Sequence, residues 1–241
     1  PGVIYIKSPG NIGFGAGNNL GVKHAKGEYL FFLNPDTTVS RNAMNKLISF
    51  LDENKQTGIV APLLLDPQGN PYPFQGTRTL TLIRGIVALS FLNKLFPKNS
   101  ISQTYWLMKW DKKSIKAVDV IPGTAFMIRS EIFKKAGQFD EHFFMYYEEH
   151  DLCKRVKKLG YNIYILPSAK ITHAWGSSSK KSKKNISAIF LHSQFYYFKK
   201  HYGLLPAIIV KLITGFGKEQ LLFLAILALG IFLRLYRLEQ N

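Results

Sequence analysis

Two continuous apolar runs constrain the fold of this chain more than any other feature. Tyr29–Leu33 reads YLFFL and Gly58–Leu65 reads GIVAPLLL. Runs without polar alternation are typical of strands that are covered on both faces. Between them, four apolar residues recur at helical spacing and predict a helix with one apolar face: Met44, Leu47, Ile48 and Leu51. The alternation of strand and helix predicts an α/β domain built on a mostly parallel sheet.

Further patterns extend this alternation. Ser40 is the expected N-cap of the helix between the two strands, because its side-chain oxygen can accept a bond from a free backbone N–H. Leu82–Phe96 is strongly apolar and predicts either a core helix or a helix that lies on a membrane surface. The remaining patterns predict a strand at 3–7, a helix at Asn18–Lys26, strand character at 119–128 and short strands at Tyr161–Leu166 and Lys170–Thr172. They also predict a helix that stops at Gly160 and has its apolar face at positions 152, 153, 156 and 159.

Charge and cysteine content narrow the class of protein. The chain of 241 residues has 32 lysines and arginines against 15 aspartates and glutamates, a net charge of +17. Such a basic surface favours polyanions, which include nucleic acid, anionic lipid and phosphorylated substrates. The single cysteine, Cys153, excludes an internal disulfide and is typical of a reducing compartment.

The composition changes from Ser177 onward. Residues 177–184 read SSSKKSKK, residues 186–202 are aromatic-rich and helical in pattern, and Leu221–Leu233 is a run of 13 apolar residues. A membrane-spanning helix needs about 20 apolar residues. The tail therefore predicts a re-entrant or surface-bound membrane contact, and a soluble core helix is the alternative.

A carboxylate follows the first apolar strand. The strand Tyr29–Leu33 leads into Asn34-Pro35-Asp36, and Pro35 cannot continue a strand ladder. Ligands of open α/β sheets bind beyond the carboxyl ends of the strands. Asp36 and Asn34 there would suit a hard divalent cation that also binds a diphosphate. The alternative is an ordinary aspartate in a turn.

The glycine-rich stretch GFGAGNN offers a rival interpretation. It follows a strand-like run, and Asp36 lies about 20 residues further on, as in dinucleotide-binding fingerprints. Gly13 and Gly15 fit the G-x-G pattern, but Asn18 stands at the third glycine position. The pattern is only a partial match to a dinucleotide-binding oxidoreductase.

A second acidic cluster lies in the stretch FDEHFFMYYEEHDLC. Glu148, Glu149 and Asp151 follow a dense aromatic segment and begin the predicted helix. Carboxylates at a helix start can simply complement the helix dipole. Crowded, partly desolvated carboxyls can also have raised pKa values, which suits a general base.

Four motifs, in order along the chain, carry a family resemblance: NIGFGAGNNLG, GEYLFFLNPD, GTAFMIRSEIFKKAGQFDEHFFMYYEEHDLCKRVKKLGY and ITHAWGSS. Together they resemble the inverting family 2 glycosyltransferases, especially the rhamnosyltransferase-like branch. The resemblance implies a Rossmann-like GT-A fold for residues 1–180 and leaves 181–241 as a basic, aromatic helical region with a membrane-associated tail. Family members begin with a further strand, helix and strand, so we expect the chain to be N-terminally truncated.

The resemblance implies a donor site and a metal site. Asn34-Pro35-Asp36 stands at the family's metal-binding acidic motif, so Asp36 would bind Mg²⁺ or Mn²⁺ that bridges the diphosphate of a nucleotide sugar. His173 matches the family's late histidine and would be a second metal ligand. The implied donor-binding residues are Asn11, Gly13, Asn18, Asn19, Asn34 and Asp36.

The resemblance also implies a base and an acceptor loop. The family's Glu-Asp-x-Asp motif corresponds to the segment 148–151, which places the base at Glu149 and leaves Glu148 and Asp151 as alternatives. Gly123 and Thr124 match the loop on the acceptor side.

The implied activity is metal-dependent transfer of a sugar from a nucleotide-diphosphate sugar to a hydroxyl acceptor, with inversion, in bacterial cell-surface polysaccharide or glycolipid synthesis. The expected partners are that donor, a lipid-linked or glycan acceptor and an anionic membrane surface, with no nucleic acid. The expected location is the cytoplasmic face of the cell membrane. The alternatives are a dinucleotide-binding oxidoreductase and an inactive membrane-binding fragment.

Overall fold

The computed structural model describes residues 2–174 and 183–215, without the side chains of 183–185. Its strands are β1 (Tyr29–Leu33), β2 (Thr37–Val39), β3 (Thr57–Leu65), β4 (Lys116–Val118), β5 (Ala125–Arg129) and β6 (Asn162–His173). Its helices are α1 (Phe14–Val22), α2 (Ala43–Glu53), α3 (Leu82–Ala88), α4 (Phe91–Leu95), α5 (Ser100–Tyr105), α6 (Ser130–Lys135), α7 (Glu148–Lys158), α8 (Lys183–Tyr202) and α9 (Leu204–Gly215).

These strands form one mixed sheet with the order β1-β5-β3-β6-β2, and β4 also pairs with β6. Only β3 and β6 pair in parallel within the described residues. The prediction of a mostly parallel sheet is therefore wrong. An unbroken apolar run shows that a strand is covered on both faces but carries no direction, and fully buried β5 lies antiparallel between β1 and β3.

The two faces of the sheet pack against different helices. On one face, Phe32 and Ile128 pack with residues of α6 and α7, including Phe133 and Leu152. On the other face, Val60 and Met127 pack against Leu47 and Leu51 of α2. The observed bounds of β1 confirm the first apolar run as a strand, and β3 begins one residue before its expected start.

Strand β6 replaces the two short strands that the sequence suggested. It continues from Asn162 through Pro167 to His173, and its pairing with β3 shifts register between Pro62 and Leu63. Local disruption of this kind accommodates a proline, which cannot donate to the ladder. The length of β6 lets β4 pair near its start and β2 pair at its end.

Three other local expectations are wrong: the strand at 3–7, the bounds of the helix expected at Asn18–Lys26 and the N-cap at Ser40. Residues 3–7 form no strand, and α1 begins at Phe14, where its backbone N–H donates to the Phe144 carbonyl. Helix α2 begins after Asn42 and not after Ser40, whose hydroxyl donates to the carbonyl of Lys170 at 2.6 Å.

The Leu82–Phe96 segment forms α3 and α4, which are separated at Ser90, whose hydroxyl caps α4. Part of this segment belongs to the hydrophobic core, because Ala88 is buried in a cluster with residues of α5, α8 and α9. Among the helices of residues 2–174 and 183–215, none is both long and apolar enough to span a membrane. The predicted apolar tail, Leu221–Leu233, lies outside the described residues.

Candidate active site

Asp36 and His173 lie together at one end of the sheet. Strand β2 begins directly after Asp36, and its Thr37 lies opposite His173 on β6. The Asp36 carboxylate oxygen Oδ1 is 3.1 Å from Nε2 of His173, although 137 positions separate them. The Asp36 carbonyl also accepts from the Ala174 N–H at 3.0 Å. The two residues that the sequence assigned to a metal are thus held side by side by strand pairing.

The chemistry of this pair fits a divalent ion that takes further ligands from its substrate. No cluster of three or more His, Cys, Asp or Glu side chains suited to a metal occurs within residues 2–174 and 183–215. Mg²⁺ commonly uses only one or two carboxylates, with phosphate oxygens and water completing its shell. An imidazole beside a carboxylate suits Mn²⁺ better than Mg²⁺, because nitrogen ligands favour the transition metals.

The expected acceptor loop lies next to the end of β1. The Asn34 N–H donates to the Thr124 carbonyl at 2.9 Å, which continues the pairing of Leu33 with Ala125. Gly123 precedes Thr124, and a Cβ placed on Gly123 would lie 4.0 Å from both Cβ and Cδ of Glu149. Backbone hydrogen bonding therefore joins Asn34, two residues before Asp36, to the loop that lies beside Glu149.

We call these residues the strand-end site: Asn34, Asp36, Gly123, Thr124, Glu149 and His173.

Glu149 and Glu148 occupy the first turn of α7. Both Tyr146 and Tyr147, just before the helix, have left-handed φ values of 70° and 68°. Such a conformation costs on the order of 1–3 kcal/mol for each bulky residue. The helix start is therefore held in a strained geometry that its surroundings must stabilise.

The two glutamates have different environments. Glu148 is 5% exposed, and its Oε2 has no hydrogen-bond partner among the described residues. Burial, followed by the charge of Glu149, raises the pKa of Glu148 to about 9. Oε1 of Glu149 lies 3.4 Å from Nδ1 of His150, and the side chain remains 17% exposed. Glu148 is accordingly neutral near pH 7, and Glu149 is the carboxyl next to the Gly123 loop.

Asp151 is engaged in an ion network away from that loop. Its carboxylate is fully buried, with Oδ1 2.8 Å from His201 Nε2 and 2.7 Å from Lys200 Nζ. Its Oδ2 lies 2.7 Å from Nη2 of Arg155. Burial raises the pKa of Asp151, but the His201 hydrogen bond and the Arg155 charge outweigh that effect and lower it. Both oxygens are thus occupied by donors.

Of the remaining expected donor residues, Gly13 and Asn19 pack against the segment 139–144, and Asn11 and Asn18 make local bonds. Gly13 has φ 89°, and a Cβ there would lie 2.3 Å from the Phe144 carbonyl oxygen. Asn19 is buried and bonds through its amide to both backbone groups of Phe139. Asn18 donates to the carbonyl one turn earlier in α1, and Asn11 accepts from the Gly13 N–H at 3.4 Å.

In the part of the chain that the structure describes, these hydrogen bonds hold α1 and join it to Phe139, and none of them involves Asp36. The stretch also lacks the preceding strand that a dinucleotide fingerprint requires, since residues 2–13 contain neither helix nor strand.

Sequence reasoning missed the contacts that α8 makes with the acidic cluster. Gln194 and Ser193 are both 1% exposed, and they bond to Tyr147 and to the Met145 carbonyl respectively. The only available signal was the aromatic character of residues 186–202, which predicts burial but not a partner.

The sequence matches a known family and several characterised proteins. Residues 1–137 match the model described as "Glycosyl transferase family 2". The "Low-salt glycan biosynthesis hexosyltransferase Agl10" of Haloferax volcanii is 29% identical over 67% of this chain and 48% of that protein. The "N-acetylglucosaminyl-diphospho-decaprenol L-rhamnosyltransferase" of Mycobacterium tuberculosis is 27% identical over 72% of this chain and 59% of that protein. The "dTDP-rhamnosyl transferase RfbF" of Shigella flexneri is 24% identical over 71% of this chain and 52% of that protein.

The chain spans about half the length of these relatives. The family model ends before the acidic cluster, so the match includes Asp36 and the Gly123 loop but not Glu149 or His173. Two of the three relatives are named as rhamnosyltransferases. Because residues 1–137 are more than half of the 241 in the chain, it belongs to glycosyl transferase family 2, as a rhamnosyltransferase-like member.

Proposed function

We propose that the protein is an inverting glycosyltransferase of GT-A type, which transfers a sugar from a nucleotide-diphosphate sugar to a hydroxyl acceptor. The observation that carries this proposal is the strand-end site: the Asp36–His173 pair follows Asn34, the backbone of Asn34 bonds to Thr124, and Glu149 lies beside the adjoining Gly123. A diphosphate site beside a carboxylate base is what such a reaction needs.

Rhamnose is the sugar to test first, because two relatives are named for its transfer. The name of the mycobacterial relative also includes a diphospho-decaprenol acceptor. We therefore propose dTDP-rhamnose as donor and a lipid-linked saccharide as acceptor, in cell-surface polysaccharide or glycolipid synthesis at the cytoplasmic face of the membrane.

Glu149 would act as the base. Its carboxylate takes the proton of the acceptor hydroxyl, and the oxygen forms a bond to the anomeric carbon of the donor. The bond from that carbon to the diphosphate breaks on the opposite face, so the nucleoside diphosphate leaves with the electron pair and the configuration inverts. Asp36 and His173 would hold Mg²⁺ or Mn²⁺, which would neutralise the charge of the leaving diphosphate.

Glu149 suits this role better than its two neighbours. Asp151 has both carboxylate oxygens bonded to His201, Lys200 and Arg155, so it has no oxygen available for a substrate proton. Glu148 already holds its proton near pH 7, because its pKa is raised to about 9. Oε2 of Glu149 has no hydrogen-bond partner among the described residues, and the glycine at 123 places no side chain against this carboxyl.

The test measures dTDP release from dTDP-rhamnose by the intact protein, with an N-acetylglucosaminyl-diphospho-lipid as acceptor. Asp36→Ala should lower turnover by about 10²-fold, on the scale of a lost electrostatic contact, and EDTA should do the same to the wild type. Glu149→Gln should abolish transfer while the affinity for dTDP-rhamnose is retained. The matched control is Asp111→Asn in an exposed loop, which should behave as the wild type.

Metal-independent turnover with active Asp36→Ala would contradict the proposed metal site. Binding of NAD by the wild type, with no sugar transfer, would favour the dinucleotide-binding alternative.

We also propose that helix α9 docks on an anionic lipid surface. Its residues Leu204, Leu205, Ile208 and Leu212 are 56%, 68%, 40% and 52% exposed. Such an apolar face, on a chain with net charge +17, suits the interface of an anionic bilayer. A lipid-linked acceptor would arrive at the same surface.

Sedimentation with vesicles that contain phosphatidylglycerol tests this contact. Binding should weaken with added salt and should fall in the double variant Leu205→Asp/Leu212→Asp. It should not fall in Ile115→Asp, which changes an equally exposed apolar residue in a loop. Wild-type protein that stays in the supernatant at low salt would refute the proposed docking.

A further inference from the structure

Helix α8 bonds to both ends of the segment 145–151, which includes the first turn of α7. The Ser193 hydroxyl donates to the Met145 carbonyl at 2.8 Å, and Nε2 of Gln194 donates to Oη of Tyr147 at 3.1 Å. Further along α8, Lys200 and His201 bond to Asp151. Glu148 and Glu149 lie between these attachment points. Their position is therefore set by α8 as well as by α7.

Helix α9 adds a bond that orients the Gln194 amide. The Thr214 hydroxyl lies 2.6 Å from Oε1 of Gln194 and 2.8 Å from the Val210 carbonyl, so its single proton is donated to one of them at a time. A glutamine amide has one accepting and one donating end. When Thr214 donates to Oε1, the amide nitrogen is directed toward Tyr147.

The chain needs such a brace at this position. Tyr146 and Tyr147 are consecutive bulky residues in the left-handed region, where side chains other than glycine are strained. A strained segment relaxes unless its surroundings hold it. The Tyr147 side chain is almost fully buried against Phe190 and Tyr197 of α8, and the Gln194 bond fixes its hydroxyl end.

We infer that Gln194 and Thr214 are positioning residues, which hold Tyr147 in its strained conformation and thereby fix Glu149 against the Gly123 loop. This inference rests on the proposed function for its catalytic consequence. Among the described residues, neither Gln194 nor Thr214 hydrogen-bonds to Glu149, so they act through Tyr147. Both lie outside the region that matches the family model.

Four variants of the intact protein test the inference. Thr214→Val and Gln194→Met remove the polar contact and nearly keep the shape of the side chain. Thr214→Ser restores the hydroxyl. Val210→Ala is the matched control, because it opens a cavity on the buried face of the same helix and leaves the polar contacts in place.

The first measurement is hydrogen exchange of backbone amides 145–151, which requires no substrate. The second is kcat and KM for dTDP-rhamnose. We expect faster exchange and a kcat lower by about tenfold or more in Thr214→Val and Gln194→Met, because small misplacements of a reacting group are costly. The KM should stay within about twofold, since donor contacts are untouched. Thr214→Ser should resemble the wild type, and Val210→Ala should lower the Tm while keeping kcat.

Unchanged exchange at 145–151 in both polar variants would overturn the inference, as would an equal loss of kcat in Val210→Ala. A wild type that transfers no sugar would instead refute the proposed function, and the exchange measurement would still decide whether Gln194 and Thr214 brace the segment.

Discussion

Replacing Glu148 with glutamine should change how the stability of this protein depends on pH. The Glu148 carboxyl is 5% exposed, and burial raises its pKa from 4.5 to about 9. The folded protein therefore binds this proton more tightly than the unfolded chain does. Between pH 4.5 and pH 9, unfolding releases the proton, so the free energy of unfolding falls as the pH rises.

The size of the effect follows from the two pKa values. Each pH unit in that range removes about 1.4 kcal/mol of stability for one proton. From pH 5 to pH 7, the wild type should lose on the order of 2 kcal/mol through Glu148, allowing for partial ionisation of the unfolded chain at pH 5. Glutamine resembles the protonated carboxyl in shape and does not titrate, so Glu148→Gln should lack this loss.

Urea unfolding at pH 5, 6, 7 and 8 measures the prediction, with the midpoint and slope fitted at each pH. The difference in stability between Glu148→Gln and the wild type should grow in favour of the variant as the pH rises. Glu131→Gln is the control, because Glu131 has the same chemistry but is 63% exposed on α6. Parallel pH profiles for Glu148→Gln and the wild type would refute the reasoning.

Two glycines give further predictions. Gly13→Ala should destabilise the fold by about 2 kcal/mol or more, because its left-handed φ is costly for alanine and the new Cβ would approach the Phe144 carbonyl to 2.3 Å. The control is Gly17→Ala, which lies in open space in α1 and should stabilise the fold slightly. Thermal melts compare the two variants. Gly123→Leu should raise the KM for the acceptor by filling the space beside Glu149, whereas Gly123→Ala, with its Cβ at 4.0 Å, should have little effect in steady-state assays.

The sequence predicts the central strands of this fold well and their directions poorly. Strand β1 coincides with its apolar run, because five consecutive apolar residues identify a covered strand wherever it pairs. The antiparallel insertion of β5 between β1 and β3 could not be predicted in this way. It depends on the path of the chain between Leu65 and Ala125, which hydrophobic periodicity does not record.

The residues of the candidate site could likewise be predicted from the sequence only in part. Asp36 could be selected because its carboxylate stands where an apolar strand ends, which is an unusual place for a charge. The cluster of Glu148, Glu149 and Asp151 could be selected because it follows a dense aromatic segment, and the family resemblance placed the base at Glu149. That His173 lies 3.1 Å from Asp36 depends on β2, a strand of three residues that carries no clear pattern. The assigned roles of Asp36, Glu149 and His173 remain predictions until the variants are measured.

The assignment of the base can be separated from the role of Asp151, the third carboxylate of the cluster. Asp151 is fully buried between His201, Lys200 and Arg155, and removing one partner of a buried ion pair typically costs about 3–5 kcal/mol. Asp151→Asn should therefore lower the urea midpoint strongly at pH 7. Because the pKa of Asp151 is lowered from 3.8 in the folded state, its contribution is present above that pH and is lost as the pH falls through the folded pKa.

The deficit of Asp151→Asn relative to the wild type should accordingly shrink in acid. Its kcat per folded molecule should fall by no more than about tenfold, because one attachment of α8 is weakened, whereas Glu149→Gln should keep the midpoint and lose transfer altogether. These two residues lie one half-turn apart on α7, so the comparison holds the helix and its surroundings constant. An Asp151→Asn protein with an unchanged midpoint and no transfer would show that Asp151 takes the acceptor proton, and the proposed role of Glu149 would then be wrong.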